Sequence, residues 1–142
     1  MARIKLHIPT KVHHVTELSI RITDLNYGNH LANDKVLALV HEARVQFFGH
    51  YGLTELNIGD NTALIMADAG IQFKAEGFYG DMLVIETSVG EFSNHGFELY
   101  HRLIHKQTDK EVATVKTGMV CFDYTTRKVM SVPLSFSNLF TE

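Results

Sequence analysis

Six polar residues whose side chains can do chemistry are concentrated between positions 24 and 34: Asp24, Asn26, Asn29, His30, Asn33 and Asp34. A histidine such as His30 can take a proton from water at neutral pH, because the unperturbed pKa of imidazole is about 6.5. Asp24 could orient that histidine or act as a base itself. The amide of Asn26 could position a water molecule or hydrogen-bond a carbonyl oxygen. The cluster therefore predicts a catalytic or substrate-binding site.

Purely structural roles would explain the same residues. His30 stands just before a predicted helix and could simply hydrogen-bond the turn, and Asp24 belongs to a common turn-forming residue type. Gly28 either lets the backbone approach a ligand closely or only makes the turn. Both interpretations stay open at the level of the sequence.

An apolar segment with helical spacing follows this cluster directly. Apolar side chains recur every three or four residues, the spacing of one helix face: Val36, Val40, Ala43, Phe47 and Tyr51. Others widen this surface: Leu37, Leu39 and Phe48. The helix is therefore predicted to be apolar over most of its circumference and wrapped by other structure. Asn33 or Asn29 is the expected N-cap, and Gly49 and Gly52 are expected to end the helix.

The start of this helix is expected to contact a substrate. The first N–H groups of a helix have no partner within it, and together with the helix dipole they attract an anion or a polarised carbonyl oxygen. The expected binding residues surround that point: Tyr27, Gly28, Asn29, Leu31, Asn33 and Glu42. Glu42 is also expected to pair with a basic residue near Arg44. Asp68, a carboxylate within an apolar strand, either points outward or faces the cleft as a base with a raised pKa.

Most of the remaining sequence predicts β-structure. Alternating apolar residues predict a first strand from Val12 to Thr23, with Leu18, Ile20 and Ile22 on one face. Four more strands are predicted after the helix: residues 63–74, 82–92, 97–106 and 111–122. Because short turns imply antiparallel pairing, we predict an α+β domain over residues 1–142, with a curved antiparallel sheet wrapped around one long central helix. Its open sheet edges favour a homodimer or a dimer-of-dimers tetramer.

Composition argues against several classes of protein. The formal net charge of -3 gives no general attraction for nucleic acid. No run approaches the roughly 18 apolar residues of a membrane span, and the first residues lack a signal-peptide pattern, so we expect a cytoplasmic protein without a membrane partner. Cys121 is expected to be a buried structural thiol. The other histidines lack zinc-site spacing, so we expect neither a metal nor a cofactor.

Three separated blocks carry a family resemblance, which covers roughly residues 10 to 135. The segment that begins at Asp24 is similar to the signature D-x-D-x-x-G-H-V-N-N, with Asp24 on its first aspartate, His30 on its histidine and Asn33 on its last asparagine. FKAEGFYGDMLVIET and KEVATVKTGMVCFDYTTRKVMSVP are the other two blocks. In this order and spacing they resemble hotdog-fold thioesterases of the 4-hydroxybenzoyl-CoA thioesterase type, which implies the hotdog fold.

The chain departs from that signature at its glycine and at its second aspartate. Asn29 stands where the family has the glycine before the histidine, with Gly28 one place earlier. Asn26 stands where the family keeps its second aspartate, the nucleophile or general base. An amide has neither a titratable proton near pH 7 nor carboxylate nucleophilicity, so direct attack by an aspartate does not transfer to this chain. Plant acyl-carrier-protein thioesterases have a similar motif in which Asp, Asn and His act together, and His30 is the residue that matches theirs.

The resemblance implies an acyl thioesterase that hydrolyses acyl-CoA or acyl-carrier-protein thioesters. The helix N-terminus would polarise the carbonyl, and His30, Asp24 or Asp68 would activate water. Two alternatives remain open. Asp24, Asn26 and His30 also resemble the D-x-N-P-x-H motif of hotdog enoyl-CoA hydratases, without its proline and with the histidine one residue later. A non-catalytic acyl-thioester binding protein would fit the amide at Asn26.

Overall fold

The computed structural model describes residues 3–141. Its elements in chain order are β1 (His14–Ser19), α1 (Asn33–His50), β2 (Ala63–Phe73), β3 (Met82–Phe92), β4 (Gly96–His105), β5 (Glu111–Asp123), β6 (Lys128–Val129) and α2 (Leu134–Ser137). A 3-10 turn at Ile22–Asp24 and a short loop connect β1 to α1. The predicted order of one strand, one long helix and four strands is confirmed, and β6 and the short α2 follow it.

The strands form one antiparallel sheet in the order β1-β3-β4-β5-β2, with β6 paired to β5. Tight hairpins connect β3 to β4 and β4 to β5, as the short predicted turns require. β1 and β2 occupy the two ends of this order, and α1 packs against one face of the sheet. The α+β hotdog architecture predicted from the sequence is thus confirmed.

Helix α1 is buried on one face only. The buried positions follow helical spacing: Val36, Leu39, Val40, Ala43, Arg44, Phe47 and Phe48. On the other side, Ala38 is exposed and Val45 is 49% exposed. The predicted burial over most of the circumference is therefore wrong for the chain by itself, because a single sheet covers one side of the helix. As predicted, the helix ends near Gly52, whose φ of 71° suits a glycine.

Strand β1 is shorter than the sequence predicted. It ends at Ser19, and the backbone then turns, with Asp24 N–H donating to the Arg21 carbonyl at 2.9 Å. Ile20 is fully buried as expected, but Ile22 is 65% exposed. The placement of Ile22 on the inner face is wrong, because the turn breaks the strand alternation on which that placement depended.

The core consists of two apolar clusters with a polar pair between them. Val40 belongs to the cluster under the first half of α1, and Phe47 to the cluster under the second half. Arg44, between them on the helix, is buried and lies near the fully buried His101 of β4. The His101 Nδ1 and Thr87 Oγ1 atoms share a hydrogen bond of 3.0 Å. Burial, reinforced by the Arg44 charge, lowers the pKa of His101 from 6.5 to about 3.

Cys121 is buried, as predicted for a structural thiol. Burial raises its pKa to about 11, so the thiol stays protonated and unreactive at neutral pH.

Candidate active site

The polar cluster forms a tight loop that returns on itself just before α1. Leu25 and Leu31 form an isolated antiparallel bridge. Inside it, Asn26 N–H donates to the His30 carbonyl at 3.0 Å, and Asn29 N–H donates to the Asn26 carbonyl at 3.0 Å. Asn29 has a φ of 63°, a left-handed conformation that asparagine tolerates better than most residues. The left-handed backbone at Asn29 therefore gives this residue a structural role in the turn.

Gly28 brings the side chains of Asn26 and His30 together. The Asn26 Oδ1 atom accepts a hydrogen bond from Gly28 N–H at 2.9 Å. A Cβ at position 28 would lie 3.2 Å from Asn26 Oδ1 and 3.2 Å from His30 Nε2. Both atoms therefore approach one side of Gly28 closely, and a glycine leaves them the room to do so.

The hydrogen bonding of His30 indicates which of its nitrogens can act as a base. Nδ1 lies 3.3 Å from the Leu31 carbonyl oxygen. Because a carbonyl can only accept, this contact is a hydrogen bond when Nδ1 carries the proton. In the neutral imidazole the other nitrogen, Nε2, then has a free lone pair. That tautomer presents Nε2 as a proton acceptor.

Helix α1 begins with uncapped backbone groups next to His30. Ala32 is at the N-cap, and within residues 3–141 no side chain caps the helix, so the predicted caps Asn33 and Asn29 are wrong. Asn33 is instead the first helical residue. The predicted asparagines fail as caps because Asn29 is used in the turn and the cap falls on the preceding apolar residue. Backbone N–H groups at this helix start are available to a ligand.

A cavity of about 250 Å³ opens beside this helix start. It is lined by His30, Leu31, Asn33, Val36, Phe73, Ala75, Glu76, Val112 and Ala113. Three residues from the predicted site, His30, Leu31 and Asn33, thus share one space. Glu76, in the loop between β2 and β3, was not predicted. An adjoining cavity of about 410 Å³ shares Ala75, Glu76 and Val112 with the first.

Asp24 serves a structural function that the sequence did not distinguish from a catalytic one. Its carboxylate is buried, accepts a hydrogen bond from Arg21 N–H at 2.8 Å and lies 3.3 Å from the Arg21 guanidinium. Its carbonyl accepts from Ala32 N–H at 2.9 Å. These contacts fix the turn before α1. Within the described chain no hydrogen bond joins Asp24 to His30, so the predicted orientation of His30 by Asp24 is not seen.

Asp68 points outward, which was one of the two predicted alternatives. It is exposed, and its Oδ1 atom lies 2.8 Å from the Lys116 ammonium. The Lys116 hydrogen bond lowers the pKa of Asp68, whereas a base in the cleft required a raised pKa. The strand register shifts between Met66 and Asp68, so the simple alternation of faces ends there. Asp68 as the cleft base is therefore wrong.

The remaining predicted contact residues lie outside the cavity lining that the structure describes. Tyr27 is fully exposed, and Asn29 is exposed at the tip of the loop. Glu42 is exposed and accepts a hydrogen bond from Gln46 Nε2 at 3.0 Å. The basic residue Arg44 pairs with Glu55 instead, so the predicted pairing of Glu42 near Arg44 is wrong.

Two further observations concern the described chain as a whole. Within residues 3–141, no group of three or more histidine, cysteine, aspartate and glutamate side chains is placed to hold a metal ion. In the same residues no helix is both long and apolar enough to cross a membrane.

Most of the chain matches one protein family. Residues 20–140 match the sequence profile of the thioesterase-like superfamily, and no curated protein matches the chain significantly. The chain therefore belongs to the thioesterase-like superfamily. Membership in this superfamily identifies the protein as a thioester hydrolase.

Several solved structures have a similar fold. Slr0204, a 1,4-dihydroxy-2-naphthoyl-CoA thioesterase from Synechocystis, is 23% identical and has a TM-score of 0.80, covering 89% of this chain and 93% of its own. BH1999, a gentisyl-coenzyme A thioesterase, is 21% identical with a TM-score of 0.76, covering 86% and 98%. YbaW from Escherichia coli, named a probable thioesterase, is 19% identical with a TM-score of 0.73, covering 89% and 95%. At these identities the likeness shows the fold alone.

Proposed function

We propose that this thioester hydrolase acts on acyl thioesters of coenzyme A or acyl carrier protein, in the cavity at the start of α1. The observation that carries the proposal is that His30 and the first turn of α1 line the same space as several apolar side chains. The apolar part, which includes Val36 and Val112, suits an acyl group. The polar part suits a thioester carbonyl. The adjoining cavity gives room for the rest of the substrate.

The first chemical step needs stabilisation of negative charge on the carbonyl oxygen. In the proposed complex this oxygen accepts hydrogen bonds from the uncapped N–H groups at the start of α1, where the helix dipole is also favourable. Removing one such donor from an enzyme typically raises the barrier by about 2.7–4 kcal/mol. The helix start is therefore proposed as the oxyanion site.

Water is proposed as the nucleophile. Asn26 carries an amide and not a carboxylate, so it cannot form an acyl-enzyme. Its position beside His30 suits it to hold a water molecule. His30 Nε2 takes a proton from that water while the water oxygen bonds to the carbonyl carbon. The carbon–sulfur bond then breaks, and the sulfur leaves as a thiol after receiving the proton. The products are a carboxylic acid and a free thiol.

A panel of thioesters tests this proposal. Purified protein is mixed with short-, medium- and long-chain and aromatic acyl-CoAs and with acylated carrier protein, and thiol release is followed with a chromogenic reagent. We expect thiol release above the buffer rate for at least one class. Loss of enoyl-CoA absorbance without free thiol would instead indicate hydration. Tight acyl-CoA binding with turnover equal to buffer would indicate a binding protein. Either result would contradict the proposal.

We also propose that the protein is a homodimer or a dimer of dimers in the cytoplasm. β2 lies at the end of the sheet order and has β5 as its only strand neighbour in the described chain. Met66 and Phe73 on this strand are 45% and 51% exposed. An exposed strand edge with apolar side chains is suited to pair with a second copy. Light scattering is expected to return a multiple of the 16.0 kDa chain mass, and a monomer mass would refute the assembly.

A further inference from the structure

Glu76 stands out among the residues around the proposed site. Of the nine residues that line the His30 cavity in the described chain, it alone carries a carboxylate. We infer that Glu76 is a catalytic residue, which accepts a hydrogen bond from the attacking water and supplies the carboxylate that the loop lacks at Asn26. This inference rests on the proposed hydrolysis of a thioester in that cavity.

Backbone hydrogen bonds hold the Glu76 segment against the His30 loop. On one side of Glu76, Lys74 N–H and Ala75 N–H donate to the Val112 carbonyl at 2.9 and 3.2 Å. On the other side, the Gly77 carbonyl accepts from Leu31 N–H at 2.7 Å. Gly77, which follows Glu76 in the chain, is therefore hydrogen-bonded to Leu31, which follows His30. The two side chains thus project from backbone segments in direct contact.

Gly77 lies where the Glu76 segment meets Ile20 and Leu31. This residue is buried, and a Cβ there would lie 2.6 Å from Ile20 Cδ1 and 3.4 Å from Leu31 Cβ. A side chain at position 77 would therefore force the buried Ile20 side chain to move, while it would touch Leu31 at an ordinary contact distance. The sequence thus contains a glycine where the loop that carries Glu76 packs against Ile20 and Leu31.

The Glu76 carboxylate is free to bind water. No hydrogen bond or ion pair within residues 3–141 engages it, and it is exposed to the cavity and solvent. The other candidate carboxylates are committed elsewhere, since Asp24 is bound to Arg21 and Asp68 to Lys116. Compared with Asp24 and Asp68, Glu76 is the carboxylate that lines the His30 cavity and is not paired within the described chain.

Two acceptors give the attacking water a defined orientation. One hydrogen of the water points to His30 Nε2 and the other to a Glu76 oxygen, which leaves a lone pair directed at the carbonyl carbon. As the new oxygen–carbon bond forms, one proton of the water moves to His30 Nε2. The carbon–sulfur bond then breaks, and this proton passes to the departing sulfur. No further reactant is consumed beyond water and the thioester.

The test compares Glu76→Gln and Glu76→Ala with a matched control. Glu91→Gln removes an exposed carboxylate from β3 that lies outside the His30 cavity lining. On a thioester that the wild type hydrolyses, we expect Glu76→Gln to lower kcat about 10²-fold with little change in KM. Glu91→Gln is expected to keep wild-type kcat. Added formate, a small carboxylate, is expected to restore part of the activity of Glu76→Ala and to leave Glu91→Gln unaffected.

The outcomes separate this inference from the proposed function. Wild-type kcat in Glu76→Gln, or a Glu76→Ala variant that formate does not restore, overturns the role of Glu76 while the thioesterase function stands. A wild-type protein without activity on any thioester overturns the function and this inference together. Because Glu76 is exposed, neither substitution disturbs the buried core, and thermal unfolding of each variant checks this directly.

Discussion

Replacing His30 by alanine is expected to lower kcat for thioester hydrolysis by about 10²–10⁴-fold, the usual contribution of a general base. The reason is the geometry of its ring. Nδ1 lies 3.3 Å from the Leu31 carbonyl, which leaves Nε2 as the proton acceptor next to Asn26. Alanine cannot accept the proton, whereas the helix N-terminus that is proposed to hold the carbonyl oxygen stays in place. The loss is therefore expected in kcat more than in KM, measured by steady-state thiol release.

His95→Ala is the matched control for this substitution. The His95 Nδ1 atom also lies near a backbone carbonyl, that of Met130 at 3.1 Å, but its ring is outside the His30 cavity lining. The two variants thus lose a comparable hydrogen bond of about 1 kcal/mol. Equal turnover in His30→Ala and His95→Ala would remove His30 from the mechanism. A large difference between them assigns the effect to the cavity.

The fold was accessible from the sequence because its signals are local. Apolar residues in α1 recur at helical spacing, and strands β2 to β5 are bounded by short polar turns, so element type and antiparallel pairing follow from neighbouring residues. The errors occur where the backbone changes direction. Ile22 has an inward-facing position in the alternating pattern, but the 3-10 turn that exposes it depends on a hydrogen bond from Asp24 N–H to the Arg21 carbonyl.

The candidate site was predictable only along one stretch of chain. His30, Leu31 and Asn33 are near neighbours in sequence, and all three line the cavity. Glu76 comes from a distant loop, and no local pattern distinguishes a cavity-lining glutamate from a solvent-exposed one. Its position depends on the contact between Leu31 N–H and the Gly77 carbonyl, which exists only in the folded protein. Gly77 is the one sequence feature in this loop that could indicate a close backbone contact, but a turn would also explain a glycine there.

The sequence context could not separate structural carboxylates from catalytic ones either. Asp24 is conspicuous in the sequence and is buried, yet its partner Arg21 is three residues away and fixes a turn. Asp68 has an apolar sequence context and still faces Lys116, because the irregular register of β2 changes which side chains point outward. Such pairings across strands follow from register, which a single sequence does not specify.

The buried pair Arg44 and His101 leads to the second large effect, a loss of stability in acid. His101 lies within the core, hydrogen-bonded to Thr87 of β3 and close to the Arg44 charge of α1. Its Nε2 atom has no hydrogen-bond partner in the described chain. A proton added there would place a second positive charge beside Arg44 without water to solvate it. The folded protein therefore resists protonation at His101, whereas the unfolded chain does not.

Stability is expected to fall by about 3 kcal/mol from this group alone between pH 7 and pH 4. The pKa of His101 is 6.5 in the unfolded chain and about 3 in the fold, so between these values the unfolded state binds a proton that the folded state does not. The full stability is present above pH 6.5 and is lost progressively as the pH falls toward 3.

Urea unfolding at several pH values measures this loss for wild type and His101→Asn, whose amide can still bond Thr87 but does not titrate. The variant is expected to be less stable at pH 7 yet to lose about 3 kcal/mol less on acidification. Parallel pH curves for the two proteins would show that His101 is not responsible.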